Sequence, residues 1–423
     1  MHTPELRRRD VLALAAAVSG TTIAVCGAAS NGRIGSVKVS APDTGMADSV
    51  LARAIAELIA RGGGDLVLQP GTYTLSAPLD GRGLLSSRLL GYGATLRAEG
   101  GTSFEYLLSL TGTSNVTIEG IDFDCNGKER GSATVRLMAV IANATKDFRA
   151  ESCIFRNALG SMVDGVPRSA AALTISDGAL RPVVRRCTFL DLGLDANIKP
   201  SDGVFMRANE GSIIDCRGDN VTDHVAVLEG CNRSTVRRLR VRDVTSAAAI
   251  SNDTNADCAH NLIDHVSGTS NYLGSFGGIV GVYAGLGGNT GRVLNSEVTN
   301  IDVAAADDAR GGGPGIFLYG PVDAISMSNI CVDAGRTTGK MNHACLIDGI
   351  SGVTIRNSRF RADGIGAAIR IINAARNIRL ADNVYENGSA GVAATQTAHF
   401  REKGSTFISC DVNVSFGDDT VRL

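Results

Sequence analysis

The feature that most constrains the fold is a short strand pattern that recurs along the chain from about residue 115 onward. The unit is an apolar residue, any residue, an apolar residue, a Gly or polar turn, and then an apolar or Phe position, as in Val116 to Phe123. It recurs in the segments 148–155, 183–189, 236–241, 262–266, 293–298, 325–332, 353–360 and 378–385. A second apolar strand follows most units, and the spacing of the pattern varies between about 22 and 35 residues, apart from one longer interval between 183 and 236. A constant strand pattern with variable spacing predicts stacked coils that share one core and differ in their turns.

Repeats of this length occur in several solenoid and propeller folds, and the strand content distinguishes them. Leucine-rich repeats need Leu and Asn at fixed offsets, which these segments lack, and a propeller blade needs four strands in each period. Two or three short strands with alternating β-branched residues fit each period here, and such coils bury their inner faces only by stacking about 4.8 Å apart. We therefore predict an all-β chain that forms a right-handed parallel β-helix.

A single amphipathic helix is predicted at 48–61, before the repeats begin. Its apolar residues fall on one face, and Gly62 follows as a stop signal. The open end of a β-helix would otherwise expose a row of unpaired backbone groups. We therefore expect this helix to cap the N-terminal end of one β-helix domain that covers residues 30–423.

The composition agrees with many short strands joined by tight turns. The chain of 423 residues has 51 Gly, 9 Pro, 4% aromatic residues and no Trp. The formal net charge is −2, and no basic tract occurs after the first ten residues, which argues against nucleic acid as a partner. Cys153 and Cys187 occupy the same place in successive repeats, so we predict buried core thiols and not a disulfide framework.

The first 29 residues are typical of an export signal. Arg7, Arg8 and Arg9 precede an uncharged run from Val11 to Val25, and small residues follow to position 30. An arginine pair followed by Asp-Val-Leu resembles a twin-arginine signal. The run is short for a membrane span. We expect a periplasmic or secreted protein with no membrane association after cleavage of residues 1–29.

Residues 46–126 contain an ordered set of motifs that is specific for one superfamily. The motifs are a helix at 50–60, Gly-Gly-Gly-Asp-Leu-Val-Leu-Gln-Pro-Gly-Thr-Tyr at 62–73, Leu-Gly-Tyr-Gly-Ala-Thr at 90–95 and Asn-Val-Thr-Ile at 115–118. Their order resembles the start of pectin lyase-like superfamily proteins, which include polygalacturonase-type hydrolases, polysaccharide lyases and phage tailspikes. The resemblance implies the β-helix fold over most of the chain and action on a polysaccharide.

The stretch Ser201 to Gly230 resembles the catalytic region of polygalacturonase-like hydrolases. Ser-Asp-Gly-Val at 201–204 is similar to their Asn-Thr-Asp-Gly motif, and Asp223-His224 stands where they have an Asp pair one coil later. The resemblance thus implies Asp202 and Asp223 as catalytic carboxylates, with His224 in place of a third aspartate. The Gly-His-Gly and Arg-x-Lys motifs of the family are absent from this sequence.

The same three residues have the chemistry that glycoside hydrolysis requires. Asp202 and Asp223 begin two similar strands 21 positions apart (202 to 223). If that interval is one circuit, the two residues lie one above the other, with their carboxyl groups within several Å. Such a pair titrates as a unit, with pKa values pushed apart, which supplies both an acid and a base. His224 would donate a proton or orient a carboxylate.

Four further residues are predicted to bind the substrate. Arg207 shares a strand with Asp202, and Asp253 follows the strand of the next coil. Tyr283 and Tyr319 end two later strands at matching places, where their rings can stack on sugars. A polysaccharide is the expected partner, because a stacked groove suits an extended chain. We expect a monomer or a small homo-oligomer.

Two other functions are open at this point. A polysaccharide lyase or uronate epimerase would use His224 as the base, with Lys199, Arg207 or Arg136 neutralising the uronate carboxylate. Asp202 and Asp223 would then be available to bind Ca²⁺, whereas a hydrolase needs no cofactor. The third possibility is a non-catalytic polysaccharide-binding or surface structural protein, which the lack of Trp favours.

Overall fold

The structure is a computed structural model, and it describes residues 23–26, 35–130, 135–164, 166–193, 200–273, 278–311, 313–334, 343–395 and 398–416. The proposed export signal at 1–29 lies outside these residues apart from a short strand, Ile23–Cys26, which pairs antiparallel with Ser36–Val39. Lys199 also lies outside them. No helix among the described residues is long and apolar enough to cross a membrane.

Nearly all of the described strands pair in parallel, and they form two long sheets. A 24-stranded sheet receives up to two strands from each coil. It comprises Ile23–Cys26, Ser36–Val39, Gly64–Leu68, Gly71–Leu75, Leu85–Leu90, Ala94–Ala98, Ser114–Glu119, Asp122–Asp124, Arg149–Glu151, Ile154–Arg156, Val183–Arg185, Thr188–Leu192, Ser212–Ile214, Arg217–Val221, Thr235–Val244, Leu262–Leu273, Glu297–Gly311, Ile325–Asp333, Val353–Arg356, Arg359–Arg361, Arg376–Ala381, Val384–Glu386, Ala398–Lys403 and Thr406–Ile408.

A 13-stranded sheet receives one strand from each coil, and we call it the second sheet. Its strands are Leu79–Asp80, Tyr106–Ser109, Met138–Ile141, Ala170–Leu180, Ser201–Asn209, His224–Glu229, Ser246–Asn252, Val280–Ala284, Ile316–Tyr319, Cys345–Asp348, Ala367–Ile372, Ala390–Ala394 and Val412–Phe416. The smaller elements are a hairpin of Ser161–Val163 and Val166–Arg168, a three-stranded sheet of Cys258–Ala259, Val293–Leu294 and Val322–Asp323, a helix at Gly127–Arg130 and a 3₁₀ helix at Leu286–Gly288. This is the parallel β-helix that the repeats predict.

The core consists of equivalent side chains stacked from coil to coil. Phe123 pairs in register with Phe155, and Phe155 with Phe189. Their rings stack with centroids 5.2 and 5.3 Å apart, and all three side chains are fully buried. The column ends at Gly218, the partner of Phe189, because a Cβ there would lie 2.3 Å from a methyl group of Val225.

Each coil bends at the same corner of the 24-stranded sheet. The residues at this corner are stacked from coil to coil and have φ values in the left-handed region. Asp215, Arg238, His265, Asn300 and Asn329 occupy equivalent places, with φ between 52° and 57°. The Asn329 Nδ2 donates to Asn300 Oδ1 at 3.1 Å. Asn and Asp adopt this conformation more readily than most residues, because their side chains hydrogen-bond locally. The frequent Asn and Asp of the repeats therefore specify the bend.

The predicted helix is observed at Asp48–Arg61, with the predicted bounds. It ends at Gly62, whose φ of 78° places it in the left-handed region, and the N–H groups of Gly62 and Gly63 donate to the carbonyls of the last turn. The buried face, which is made of Val50, Leu51, Ala54, Ile55 and Leu58, packs on the strands at 36–39, 64–68 and 79–80. These are among the first strands of the β-helix, so the helix caps its N-terminal end as expected.

The repeated cysteines are core residues, as predicted. Cys153 and Cys187 are about 1% exposed, and Cys216 follows them in the next coil with 2% exposure. All three are free thiols. Burial and the neighbouring sulfurs raise the pKa of the Cys187 thiol well above its ordinary value. A thiol that stays protonated is unreactive, so these cysteines contribute to core packing and not to redox chemistry.

Candidate active site

Two adjacent strands of the second sheet bring the three predicted catalytic residues together. Asp202 is the second residue of Ser201–Asn209, while Asp223 directly precedes His224–Glu229. The predicted register is wrong by one residue. Val204 pairs with Ala226, so one circuit takes 22 residues here and Asp202 lies level with His224. Asp223 is offset by one position, which allows both carboxylates to reach the same imidazole.

His224 joins the two carboxylates through one ring nitrogen. Its Nδ1 lies 2.8 Å from Asp223 Oδ1 and 3.3 Å from Asp202 Oδ1. The backbone N–H of His224 also donates to Asp202 Oδ1 at 3.0 Å. The Ser169 hydroxyl donates to the other Asp202 oxygen at 3.3 Å. The cluster is thus held rigidly by its own hydrogen bonds, and Asp202 is only 6% exposed.

Tyr283 completes the cluster from two coils further along. Its hydroxyl lies 3.1 Å from His224 Nε2, so both imidazole nitrogens have partners. Tyr283 pairs in register with Tyr319, which confirms that the two tyrosines occupy matching places. The Tyr319 ring stacks on Phe317, with ring centroids 5.7 Å apart.

A second polar group surrounds Glu229, at the other end of the strand that begins with His224. The Glu229 carboxylate accepts a hydrogen bond from the Ser251 hydroxyl and, at 2.5 Å, one from the backbone N–H of Asp253. Arg207 approaches it to 3.6 Å and lies over the ring of Phe205 at 5.6 Å. Arg207 is therefore already engaged with an acidic side chain.

Both polar groups line one open cleft. Asp202, Asp223, His224 and Tyr283 form one part of its lining, and Glu229 belongs to the same lining. The other lining residues are Phe205, Val227, Ser251, Asn252, Asp253 and Leu286. The cavity volume of about 190 Å³ is below the ~300–1,000 Å³ of pockets that enclose a whole drug-sized ligand. A ligand would therefore enter the cleft with only part of its length.

Burial and mutual charge push the pKa values of the two aspartates apart. Burial, reinforced by the charge of Asp223, raises the pKa of Asp202 to about 6, although hydrogen bonds from His224 oppose this shift. Burial would also raise the pKa of Asp223, but the charge of His224 and the hydrogen bond from its ring outweigh it and lower the pKa. In mildly acidic solution Asp202 therefore keeps its proton while Asp223 is ionised.

The same charges fix the protonation of His224 and Tyr283. Burial alone would lower the pKa of His224, but the charge of Asp223 and the hydrogen bonds to Asp202 and Asp223 raise it to about 10. Burial and the charges of Asp223, Asp202 and Glu229 raise the pKa of Tyr283 well above its usual value. At neutral pH the imidazole is therefore a cation and the phenol is neutral.

The cluster is also the group of described residues whose ligand atoms lie close enough to share a metal ion. Ligand atoms of Asp202, Asp223 and His224 are within 4.8 Å of one another. Ca²⁺ takes six to eight oxygen ligands, whereas this group offers two carboxylates and one nitrogen. That nitrogen lies 2.8 and 3.3 Å from the two carboxylates, so it occupies the place between them. The residues therefore do not fit calcium.

Three residues of the site were not recognised from the sequence. Glu229 lies within the stretch that was singled out, but nothing in the sequence distinguished it from a solvated strand end. Ser169 and Ser251 do not stand out in the sequence, because serine is a common residue. Only the stacking of coils places them against carboxylates. Strand alternation was the available signal, because Glu229 and Arg207 both belong to the outward-facing positions of their strands.

The fold and the open cleft on its second sheet place this protein in the class of parallel β-helices. Solved structures of that class match almost the whole chain at low identity. An endo-xylogalacturonan hydrolase from Aspergillus tubingensis has a TM-score of 0.52 and 13% identity, and the match covers 91% of this chain and 96% of that one. No family model and no curated protein matches.

Neighbours with other activities align equally well. The A-module of a mannuronan C-5 epimerase from Azotobacter vinelandii has a TM-score of 0.56 and 15% identity, covering 90% of this chain and 97% of that one. The tailspike of the E. coli bacteriophage HK620, solved in complex with a hexasaccharide, has a TM-score of 0.62 and 12% identity, covering 90% and 77%. At these identities the likeness shows the fold alone.

Proposed function

We propose that this protein is an exported glycoside hydrolase that cleaves a polysaccharide bound along the second sheet. The observation that carries the proposal is the pair of carboxyl groups of Asp202 and Asp223, held by His224 in an open cleft with divergent pKa values. An acid beside an ionised carboxylate is what glycosidic cleavage needs. The hydrolase, epimerase and oligosaccharide-bound tailspike among the structural neighbours support a carbohydrate ligand.

The geometry gives each residue of the cluster a role. Asp202, with its raised pKa, is the acid that protonates the leaving glycosidic oxygen. Asp223 is the ionised carboxylate that activates a water molecule or stabilises the positive charge developing on the sugar ring. His224 is the cation that keeps Asp223 ionised and fixes both carboxylates, and the Tyr283 hydroxyl orients the imidazole.

Four parts of the proposal rest on sequence or position. Export rests on the signal-like residues 1–29. Asp253, Tyr283 and Tyr319 lie in or next to the cleft, which supports their role in substrate binding. Arg207 lies beside the cleft and acts through Glu229. We propose a soluble monomer or small homo-oligomer after signal cleavage.

Elimination or epimerisation of a uronate is the second candidate. The observation that favours it is the hydrogen-bonded pair of His224 and Tyr283, because an imidazole and a phenol are side chains that can take up and donate a proton in such a reaction. Against it, a base must be neutral, and the pKa of about 10 keeps His224 protonated. Hydrolysis is therefore the better supported reaction.

Product analysis distinguishes these reactions. The chain lacking residues 1–29 is incubated with a panel of neutral and acidic polysaccharides, and the products are analysed for reducing ends, for ultraviolet absorbance of an unsaturated uronate and for sugar configuration. New reducing ends without that absorbance are expected. Unsaturated products would show a lyase and inverted uronates an epimerase, whereas binding without any product would identify a carbohydrate-binding protein.

The rate of hydrolysis is expected to depend on pH through the same two carboxyl groups. The acid form of Asp202 exists below its raised pKa, so kcat/KM should fall as pH rises through about 6. The base form of Asp223 exists above its lowered pKa, so the rate should fall on the acid side only below the ordinary titration range of an aspartate. Initial rates between pH 3 and 9, with circular dichroism as a control for folding, measure this. A constant rate above pH 6 would contradict the role of Asp202.

A further inference from the structure

The cleft has a strong excess of negative charge. Four acidic side chains, those of Asp202, Asp223, Glu229 and Asp253, line it, and three of them are charged when Asp202 is protonated as the proposed acid. His224 is the one titratable cation among the described lining residues. The charge of His224 is shared between Asp202 and Asp223, on which its Nδ1 is centred. The potential that a ligand meets is therefore negative.

Arg207, on the strand of Asp202, offsets only the charge of Glu229 and leaves the cleft with a net negative charge. Arg207 directs its guanidinium to Glu229 at 3.6 Å, and its side chain covers Phe205. A guanidinium committed to a carboxylate in this way is a weak partner for a second anion. The cleft thus provides no unpaired Lys or Arg, within its described lining, for the carboxylate of an acidic sugar.

The hydrogen-bonding groups of the cleft point to the same ligand. Its carboxylate oxygens have lone pairs that can accept hydrogen bonds from sugar hydroxyl groups, whereas a uronate carboxylate is itself an acceptor and finds no unpaired cation in the described lining. Apart from Ser251 and Asn252, the remaining lining is apolar or aromatic. Phe205 and Val227 lie in register on adjacent strands, and the Phe317 and Tyr319 rings continue this surface beyond Tyr283. Such a surface suits the C–H faces of sugar rings.

We infer that the substrate is an uncharged polysaccharide, and that a polyuronate is excluded from the cleft by charge. This inference rests on the proposed function for the location of the site and adds the class of glycan. The resemblance to polygalacturonases would imply an acidic substrate. The inferred substrate differs from this, because the acidic cleft repels the carboxylates of a polyuronate.

Polymers that differ only in charge provide the test. Polygalacturonate and alginate are compared with their carboxyl-reduced forms, in which each carboxylate becomes a neutral hydroxymethyl group. Binding of oligosaccharides to the Asp202→Asn variant is measured by calorimetry, and cleavage by the unaltered protein is measured from reducing ends. At least one reduced polymer is expected to bind about tenfold more tightly than its charged parent at low salt, with the difference shrinking as salt rises.

The outcomes separate this inference from the proposed function. Preferential binding of a reduced polymer without cleavage would overturn the hydrolase and leave the substrate class standing. Equal or tighter binding of a charged polymer, with cleavage, would overturn the substrate class and leave the hydrolase. If neither form of any polymer binds, both are overturned.

A charge reversal at the rim tests the cause of the preference. Asp253 is an exposed residue of the cleft, and Asp253→Lys should tighten binding of the charged polymers about five- to tenfold at low salt. Asp257→Lys is the matched control, because Asp257 belongs to the same turn but pairs with Arg292 outside the cleft. Equal gains from both variants would mean that overall charge, and not the cleft, determines the preference.

Discussion

Replacement of Asp202 with Asn is expected to lower kcat about 10²- to 10⁴-fold and to leave the fold intact. The variant loses the proton that cleavage takes from Asp202, but it keeps the shape of the side chain. The amide oxygen can still accept the backbone N–H of His224 and face its Nδ1, and the amide nitrogen can donate to the Ser169 hydroxyl, so all three present contacts have replacements. Reducing ends released per unit time at the pH optimum measure the loss.

Stability separates a catalytic effect of this substitution from a structural one. The raised pKa of Asp202 favours the folded state at low pH, and this contribution is lost as pH rises through about 6. The Asp202→Asn variant should therefore be at least as stable as the unaltered protein at pH 7, as measured by urea unfolding. Asp223→Asn should lose activity as well, but it should also lose stability, because His224 then lacks its main counter-charge.

An exposed aspartate serves as the control for the loss of a carboxylate. Asp257 lies outside the cleft and pairs with Arg292, so Asp257→Asn should keep full activity. Retention of more than about a tenth of the activity by Asp202→Asn would contradict the proposed site. Glu229, the other buried carboxylate of the cleft, would then be the next candidate.

Truncation of the central phenylalanine of the core column should have the largest effect on stability. Phe155→Ala is expected to lower the free energy of unfolding by about 3–5 kcal/mol. The variant removes a fully buried ring and leaves a cavity between Phe123 and Phe189, which both lose a stacking partner. Urea or thermal unfolding, followed by circular dichroism, measures the change.

The preceding residue on the same strand provides a matched control. Ile154 points outward and is 37% exposed, so Ile154→Ala should cost no more than about 0.5–1 kcal/mol. Both substitutions shorten a large apolar side chain on the three-residue strand Ile154–Arg156, and they differ only in the face they occupy. Similar losses for the two variants would show that the phenylalanine column does not carry the stability assigned to it.

The fold was accessible from the sequence because the β-helix is specified locally and many times over. Val116 and Ile118 alternate with polar residues, and Phe123 recurs as Phe155 and Phe189. Each coil therefore carries the same sequence pattern and predicts the same structure by itself. The capping helix is encoded by its own apolar face and by Gly62. An error in one coil would not have changed the prediction.

The site was only partly accessible, because it depends on contacts whose sequence separation varies. Asp202 and the backbone of His224 are 22 residues apart, and counting placed them within one position. Tyr283 and His224 are 59 residues apart, across turns of unequal length, and no count of residues predicts that their side chains meet. The pairing of Glu229 with Ser251 was missed for a related reason, since neither residue stands out by type.

The stacking of coils has a consequence for the route by which this chain folds. Contacts between adjacent coils join residues such as Asp202 and His224, 22 apart, or Asp264 and Asn300, 36 apart. These separations are short for a chain of 423 residues, so the contacts that complete each coil are local along the chain. The strands of each completed coil form an edge with free backbone groups, and the next coil along the chain can pair with that edge. The ribosome can therefore release one coil at a time, and each can order on its predecessor before the C-terminal half has been made.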